Sequence, residues 1–288
     1  MISQPDAPAS AQSSYPGDDA LFGELFAAED HHFWFTARNK VIGAALRRVT
    51  QSLPASFRVL EVGCGTGNVL RVLEQTCGPG NVVGMDLFSG GLRYARQRTH
   101  CALLQADMYR PPFRVAFDVL GMFDVIEHLA DDAAALRQAG VLLKPEGKLL
   151  LTVPAHMRLW SYADHFAGHY RRYSRSELAK KLDAAGFEVE YLTYFMAVLW
   201  PLLWLHRRLA SWSRRNWERQ ARELFLAELR PNPAVNGTLR WILEKEAIPI
   251  GAGRVLPFGT SLLAVASKRP DKHSPATDGA SLSQRGNG

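Results

Sequence analysis

Cysteine is scarce. The 288-residue chain has three, Cys64, Cys77 and Cys101, an odd number without metal-site spacing, which argues against a disulfide framework or a structural zinc and for a reducing compartment. Long apolar runs are also missing. The segment from Phe195 to Leu205 is uncharged, but it is shorter than the ~17 residues a membrane-crossing helix needs, and Pro201 interrupts it. No basic start followed by an apolar stretch marks a secretory leader, and no internal repeat is visible. Residues 1–18 and 269–288 have little to bury and read as disordered tails. The net charge is only +6, with arginine clustered late in the chain, so the excess is a local feature and no nucleic-acid partner is expected. Almost half the residues, 47%, are hydrophobic, ample for the core of a large folded domain.

The stretch Arg58-Val-Leu-Glu-Val-Gly-Cys-Gly-Thr-Gly-Asn68 organises the rest. Val59, Leu60 and Val62 read as the end of a buried strand, and Val69, Leu70, Val72 and Leu73 as the opening of a helix. Between them Gly63, Gly65 and Gly67 strip the side chains from a tight turn, with Cys64 as a small filler. A ligand can approach such a backbone without meeting a Cβ, and the helix start offers unpaired N–H groups. The dinucleotide fingerprint places glycine at its first, third and sixth positions, but the sixth position from Gly63 is Asn68. Glu61, two residues before the turn, would repel a phosphate and could hold a cationic amino group. An NAD(P)-dependent oxidoreductase is therefore the lesser alternative.

The segment from Glu61 to Gly67 resembles the first motif of the class I S-adenosylmethionine-dependent methyltransferases, and later motifs extend the resemblance from about Val59 to Phe195. The second strand, Asn81-Val-Val-Gly-Met-Asp86, ends in an acid at the spacing at which a carboxylate reaches a ribose. Asp86 could also N-cap the helix carrying Leu92, Tyr94 and Ala95. A third strand, Cys101-Ala-Leu-Leu-Gln-Ala, ends in Asp107-Met108, and a fourth runs from Phe117 through Phe123 towards Asp124. The resemblance implies S-adenosyl-L-methionine as cofactor, with Glu61 on the methionine ammonium, Asp86 on the ribose, Asp107 on the adenine, and Gly63, Gly65, Gly67, Leu87, Met108 and Phe123 completing the contacts. Lys144-Pro-Glu-Gly147 before the strand Lys148–Val153 fits the same pattern.

The group Asp124-x-x-Glu127-His128 resembles the metal-associated loop of ubiquinone-pathway O-methyltransferases, with Asp where Glu is expected. Glu127 and His128 read more simply as groups that cap and pack at the start of the next helix, so no metal is expected. If the acceptor is a hydroxyl, His128 and His169 are the first candidates for a base. His169 lies in a loop rich in His, Arg and aromatic residues, from Ala155 to Ser174, which precedes a helix opened by a Ser174–Glu177 capping box. Before the first strand, residues 19–53 read as helical, and the aromatic segment His31–Asn39 could pack on the sheet edge or cover the cofactor.

The expected fold is α/β and Rossmann-like: a seven-stranded, mostly parallel sheet with an antiparallel last strand, helices on both faces, and a helical insertion between strands 6 and 7. N-terminal helices and core occupy 19–195, the insertion 196–258 and the last strand 259–268. The insertion, with a second apolar helix from Leu239 to Ile250, is read as a cap over the substrate. Its arginines and tryptophans leave peripheral membrane contact through 195–222 as the competing reading. The expected activity is methyl transfer to a small-molecule or lipid-like acceptor by a cytoplasmic protein, at the inner membrane face if the insertion touches lipid. A non-catalytic membrane-associated binding protein with the same fold is the remaining alternative.

Overall fold

The computed structural model describes residues 19–114, 116–203 and 217–270. Both expected tails, but for residues 269 and 270, lie outside the described residues, as does 204–216, the most basic part of the insertion. Seven strands, β1 (Val59–Val62), β2 (Val82–Asp86), β3 (Ala102–Gln105), β4 (Phe117–Phe123), β5 (Leu143–Pro154), β6 (Phe187–Phe195) and β7 (Ser261–Lys268), form one sheet. Their order is β3-β2-β1-β4-β5-β7-β6. Pairing is parallel from β3 through β5, and β7 runs antiparallel to both its neighbours. The expected sheet is the observed one.

Strand periodicity builds two cores. Leu60, Val62, Leu120, Met122, Leu149 and Leu151 face one layer, and Val59, Val119, Leu150, Leu263 and Val265, one residue out of step, face the other. The first layer holds helices α5 (Asp132–Leu142) and α7 (Arg175–Ala184); the second holds α2 (Phe33–Thr50) and α3 (Asn68–Cys77). The chain winds outward from β1 to β3, then returns to the other side of β1 with β4. That reversal opens a crevice at the carboxyl ends of β1 and β4, where open sheets of this type bind ligands.

Several local expectations are corrected. The Lys144–Gly147 turn does not precede β5 but interrupts it: pairing jumps from Phe117↔Leu143 to Val119↔Lys148, with Glu146 at φ 63 in the irregularity. The helix expected from Leu239 to Ile250 is two helices, Pro233–Glu244 and Ala247–Gly251. Pro249 has no N–H to give to residue 245 and would crowd its carbonyl, so a continuous helix cannot pass Lys245-Glu246. Asp86 caps no helix, because α4 (Ser89–Arg98) has Phe88 at its N-cap. Nor do Glu127 and His128 cap α5; Asp131 does, accepting from the Ala134 N–H at 2.8 Å. The Ser174–Glu177 capping box forms as expected.

The insertion folds back on the domain. Its helix Trp217–Glu228 packs on α6 (Tyr162–Phe166), with the Phe166 and Phe225 rings 5.0 Å apart, while Leu243 and Ile250 are fully buried in the core shared with α2. No helix among the described residues is long and apolar enough to cross a membrane.

The glycine turn has the tightest constraints. Gly67 sits at φ 78, and a Cβ there would lie 2.8 Å from the Ala95 Cα; Gly65 is at φ 49 with nothing within 4 Å of a Cβ. Gly65→Ala should therefore cost only the left-handed backbone, about 1–2 kcal/mol, whereas Gly67→Ala adds a backbone clash. Thermal unfolding of the two variants should show the larger loss of Tm for Gly67→Ala.

Candidate functional site

Glu61, Gly63, Gly65, Asp86, Leu87, Asp107, Met108, Phe123, His128 and His169 all line one cavity of about 660 Å³ at the crevice. Gly67 does not; it caps α3 from behind at positive φ. The bend is pinned from β2: the Gly63 N–H donates to the Met85 carbonyl at 2.7 Å, and Asp86 accepts from the Gly65 N–H at 2.7 Å and the Phe88 N–H at 2.8 Å. A side chain at Gly63 would strike Val125 at 2.6 Å, and one at Gly65 would stand in open space. Bare backbone is thus presented to the cavity at Gly65.

Glu61 is 2% exposed, and one of its carboxylate oxygens is buried with no hydrogen-bond partner among the described residues. Burial pushes this carboxyl well above the carboxylate range; Arg38 pulls it back, while Asp86 and Glu29 push it further up. An unpaired buried acceptor beside an open cavity fits a cationic group. Asp86 is also raised by burial, against the hydrogen bonds from Phe88 and Gly65. Asp107 is half-buried and turns one oxygen to the Tyr109 N–H at 2.9 Å.

The aromatic segment lines the cavity. His32 N-caps α2, its Nδ1 accepting from the Trp34 N–H, so its Nε2 carries the proton and donates to the Glu228 carbonyl at 3.0 Å. Trp34 and Phe35 line the cavity, and the Arg38 guanidinium lies against both rings, 4.9 and 5.4 Å from their centroids, while pairing with Asp124 at 2.8 Å. Helix α1 (Asp19–Glu29) is tied to the glycine bend by Glu29, which accepts from both Thr66 and Arg98. Sequence reading missed Glu29 and Arg38. The i, i+4 spacing of Trp34 and Arg38 was the available signal for the second, since it puts both on one helix face.

Opposite the bend lie Glu127, His128 and His169, each with one polar atom within 4.8 Å of the others. Asp124, the first member of the Asp-x-x-Glu-His group, is turned to Arg38 instead. Glu127 is fully buried, with both carboxylate oxygens unpartnered among the described residues; burial, then Asp124, push its carboxyl well up. Burial and the neighbouring His169 push the His128 imidazole down to about 3. His169 Nδ1 is 2.9 Å from Asp164, an acid of the Ala155–Ser174 loop that the sequence alone does not single out.

The comparisons decide the family. Residues 33–192 match the model of a methyltransferase domain. The chain belongs to the methyltransferase-domain family. The methyl donor is S-adenosylmethionine, which sets aside the oxidoreductase alternative. Relatives include a Mycolicibacterium smegmatis protein named as a probable S-adenosylmethionine-dependent methyltransferase, 28% identical, covering 56% of this chain and 62% of its own. A ubiquinone biosynthesis O-methyltransferase of Idiomarina loihiensis is also 28% identical, covering 46% and 61%. The match therefore spans about six-tenths of the length of these relatives. A methyltransferase solved in complex with the Haloferax volcanii Trm112 methyltransferase activator shares the fold, with a TM-score of 0.60, 20% identity, and coverage of 91% of this chain and all of that one.

The buried acid of this methyltransferase gives a pH prediction. A carboxyl whose folded pKa lies above its unfolded one binds extra protons in the native state, so its contribution to stability is lost as pH rises through the raised value. Glu127→Gln cannot titrate. Urea unfolding should show the stability of the variant relative to wild type increasing from pH 5 to pH 8; a constant difference would mean Glu127 titrates normally.

Proposed function

We propose that the chain transfers the methyl group of S-adenosylmethionine to a hydroxyl oxygen of a small, largely apolar acceptor enclosed beneath the cap. The observation that carries this reading is the unpartnered Glu61 oxygen beside the bare Gly63–Gly65 bend, in the same cavity as His169. Glu61 takes the methionine ammonium. Asp86 takes the ribose hydroxyls, since each of its oxygens accepts one backbone N–H and keeps a second lone pair. Asp107 and the buried Met108 take the adenine, with Leu87 and Phe123 as apolar contacts.

The bound cofactor supplies an electrophilic methyl carbon: the acceptor oxygen's electron pair forms the new C–O bond as the C–S pair returns to sulfur, and the hydroxyl proton leaves on a base. The protein's task is mostly alignment and exclusion of water. Leu21, Leu25, Phe166, Leu199, Phe225 and Leu229 also line the cavity, and that apolar lining favours an acceptor with an apolar body. His128, held neutral down to about pH 3 by burial, is too weak a base for the proton. His169 is the better candidate. Relatives named as O-methyltransferases support oxygen as the acceptor atom. Leu199, Phe225, Leu229 and Pro231 of the insertion line the cavity, which favours the cap role over the competing membrane reading.

The protein incubated with methyl-tritiated S-adenosylmethionine and an extract of its source cells should give label that partitions into organic solvent; label confined to protein or the aqueous phase would contradict the apolar-acceptor reading. Asp86→Ala should weaken S-adenosylhomocysteine binding about 10- to 100-fold, from loss of ~1.5–3 kcal/mol of charged hydrogen bonding. It should also lower Tm, because the Gly65 and Phe88 N–H groups lose their acceptor. Unchanged affinity in titration calorimetry would show the ribose contact to be wrong.

A further inference from the structure

Asp164 is a deeply buried acid in the part of the cavity wall that holds His169. It is 1% exposed and is satisfied by hydrogen bonds from Ser161 and Arg172. One oxygen accepts from the Ser161 N–H at 2.8 Å and faces the Ser161 hydroxyl at 3.3 Å, and the other accepts from the Arg172 Nε at 2.6 Å and meets His169 Nδ1 at 2.9 Å. Burial alone would raise this carboxyl, but the hydrogen bond from His169 and the charge and hydrogen bond of Arg172 hold it well below the carboxylate range. An ionised carboxylate only accepts hydrogen bonds. With Arg172 donating to the same oxygen at 2.6 Å, that oxygen is an acceptor, so His169 Nδ1 is the donor of the pair and in the neutral ring the lone pair is on Nε2.

The surroundings fix the ring as well as its tautomer. The His169 N–H donates to the Asp164 carbonyl at 2.9 Å, so main chain and side chain are gripped by the same residue. The next residue is held too, the Tyr170 N–H donating to the Glu127 carbonyl at 2.8 Å. The His128 ring stands edge-on to the His169 ring at 4.6 Å. Arg172 reaches back to the Ala155 carbonyl at 3.2 Å, and Tyr173, fully buried, donates to Asp132 at 2.8 Å, which anchors the loop to α5. Asp164 pairs with the ring at Nδ1, and Glu127 and His128 each bring a polar atom within 4.8 Å of a ring nitrogen.

We propose that Asp164 is the positioning residue of the acceptor half-site, holding His169 in the Nδ1–H form so that Nε2 takes the proton of the acceptor hydroxyl during methyl transfer. This rests on the oxygen-methylation reading above. The proton moves from the acceptor oxygen to Nε2, the resulting imidazolium lies against the Asp164 carboxylate, and the neutral product leaves before His169 returns the proton to water. A fixed carboxylate that selects a histidine tautomer and stabilises its cation is a recurrent device of base catalysis. The 10- to 100-fold or greater losses that follow its removal elsewhere set the scale expected here.

The test reads the tautomer first, without any acceptor. Full-length protein with 15N-labelled histidine, saturated with S-adenosylhomocysteine at pH 8.5, should show His169 (assigned with His169→Gln) protonated at Nδ1 and bare at Nε2 in two-bond 1H–15N correlation spectra. A proton on Nε2, or on both nitrogens at that pH, overturns the proposal. Asp164→Asn should reduce the Nδ1–H population and lower methyl transfer to cell extract by about 10-fold or more, with S-adenosylhomocysteine affinity within twofold of wild type. Should Asp164→Asn fold poorly, Arg172→Lys keeps the carboxylate and should retain the Nδ1–H form. An unaltered tautomer and rate in folded Asp164→Asn overturns the proposal, as does a rate abolished by chelator in the wild type, which would assign His169 to a cation. Absence of methyl transfer by wild type together with the expected tautomer would instead count against the oxygen-methylation reading alone.

Discussion

A carboxylate oxygen buried at the end of β1 with no partner of its own is the feature on which the site depends. Leaving such an acceptor unsatisfied costs about 1–3 kcal/mol, and Glu61 stands where the sheet reverses its winding, next to backbone stripped of side chains. The two features complement one another: the bend lets a ligand approach, and the acid selects one that carries positive charge. Neighbouring acids sharpen the selection. Asp86 and Glu29 both raise the Glu61 carboxyl, and Arg38 is the one cation opposing them among the charges acting on it. A phosphate would meet repulsion there, so a turn geometry that serves dinucleotides elsewhere suits, on the proposed reading, a sulfonium amino acid here.

Enclosure comes from elements distant in sequence. Glu29 and Arg38 fasten the N-terminal helices to the glycine bend and to Asp124. The insertion is then fastened to those helices: Asn236 accepts from the Phe33 N–H at 2.8 Å and donates to the His31 carbonyl at 2.9 Å, and Arg230 pairs with Glu24 at 2.7 Å. The N-terminal helices and the insertion are thus directly connected. Tyr162, which donates to Glu228, joins them to the loop carrying Asp164 and His169.

The sheet could be read from sequence because its signals are local. Period-two runs ending in Gly63, Asp86 and Asp107-Met108 put those residues at the carboxyl ends of adjacent strands, and the structure places them around one cavity. Capping at Ser174 was legible for the same reason. What could not be read depends on long-range packing or on one backbone detail. Arg38 meets Asp124 across 86 residues, and Thr66 meets Glu29 across 37. Asp164 looks like any loop acid until Arg172 and His169 converge on it. Pro249 breaks a helix that periodicity alone would continue, and the β5 irregularity follows from a register shift that no apolar pattern records. The capping role expected of Glu127 failed because α5 starts four residues beyond His128; Glu127 is buried in the cavity wall instead.

The central claim is that Glu61 recognises the amino-acid end of the cofactor. Titration calorimetry of wild type and Glu61→Gln with two probes tests it: S-adenosylhomocysteine, which carries the ammonium, and 5′-methylthioadenosine, which keeps the adenosine and sulfur without the amino acid. The account predicts that the variant binds S-adenosylhomocysteine about 10- to 100-fold more weakly, the worth of one charge-assisted hydrogen bond, and binds methylthioadenosine as wild type does. Equal losses for both probes, or no loss for either, would contradict it.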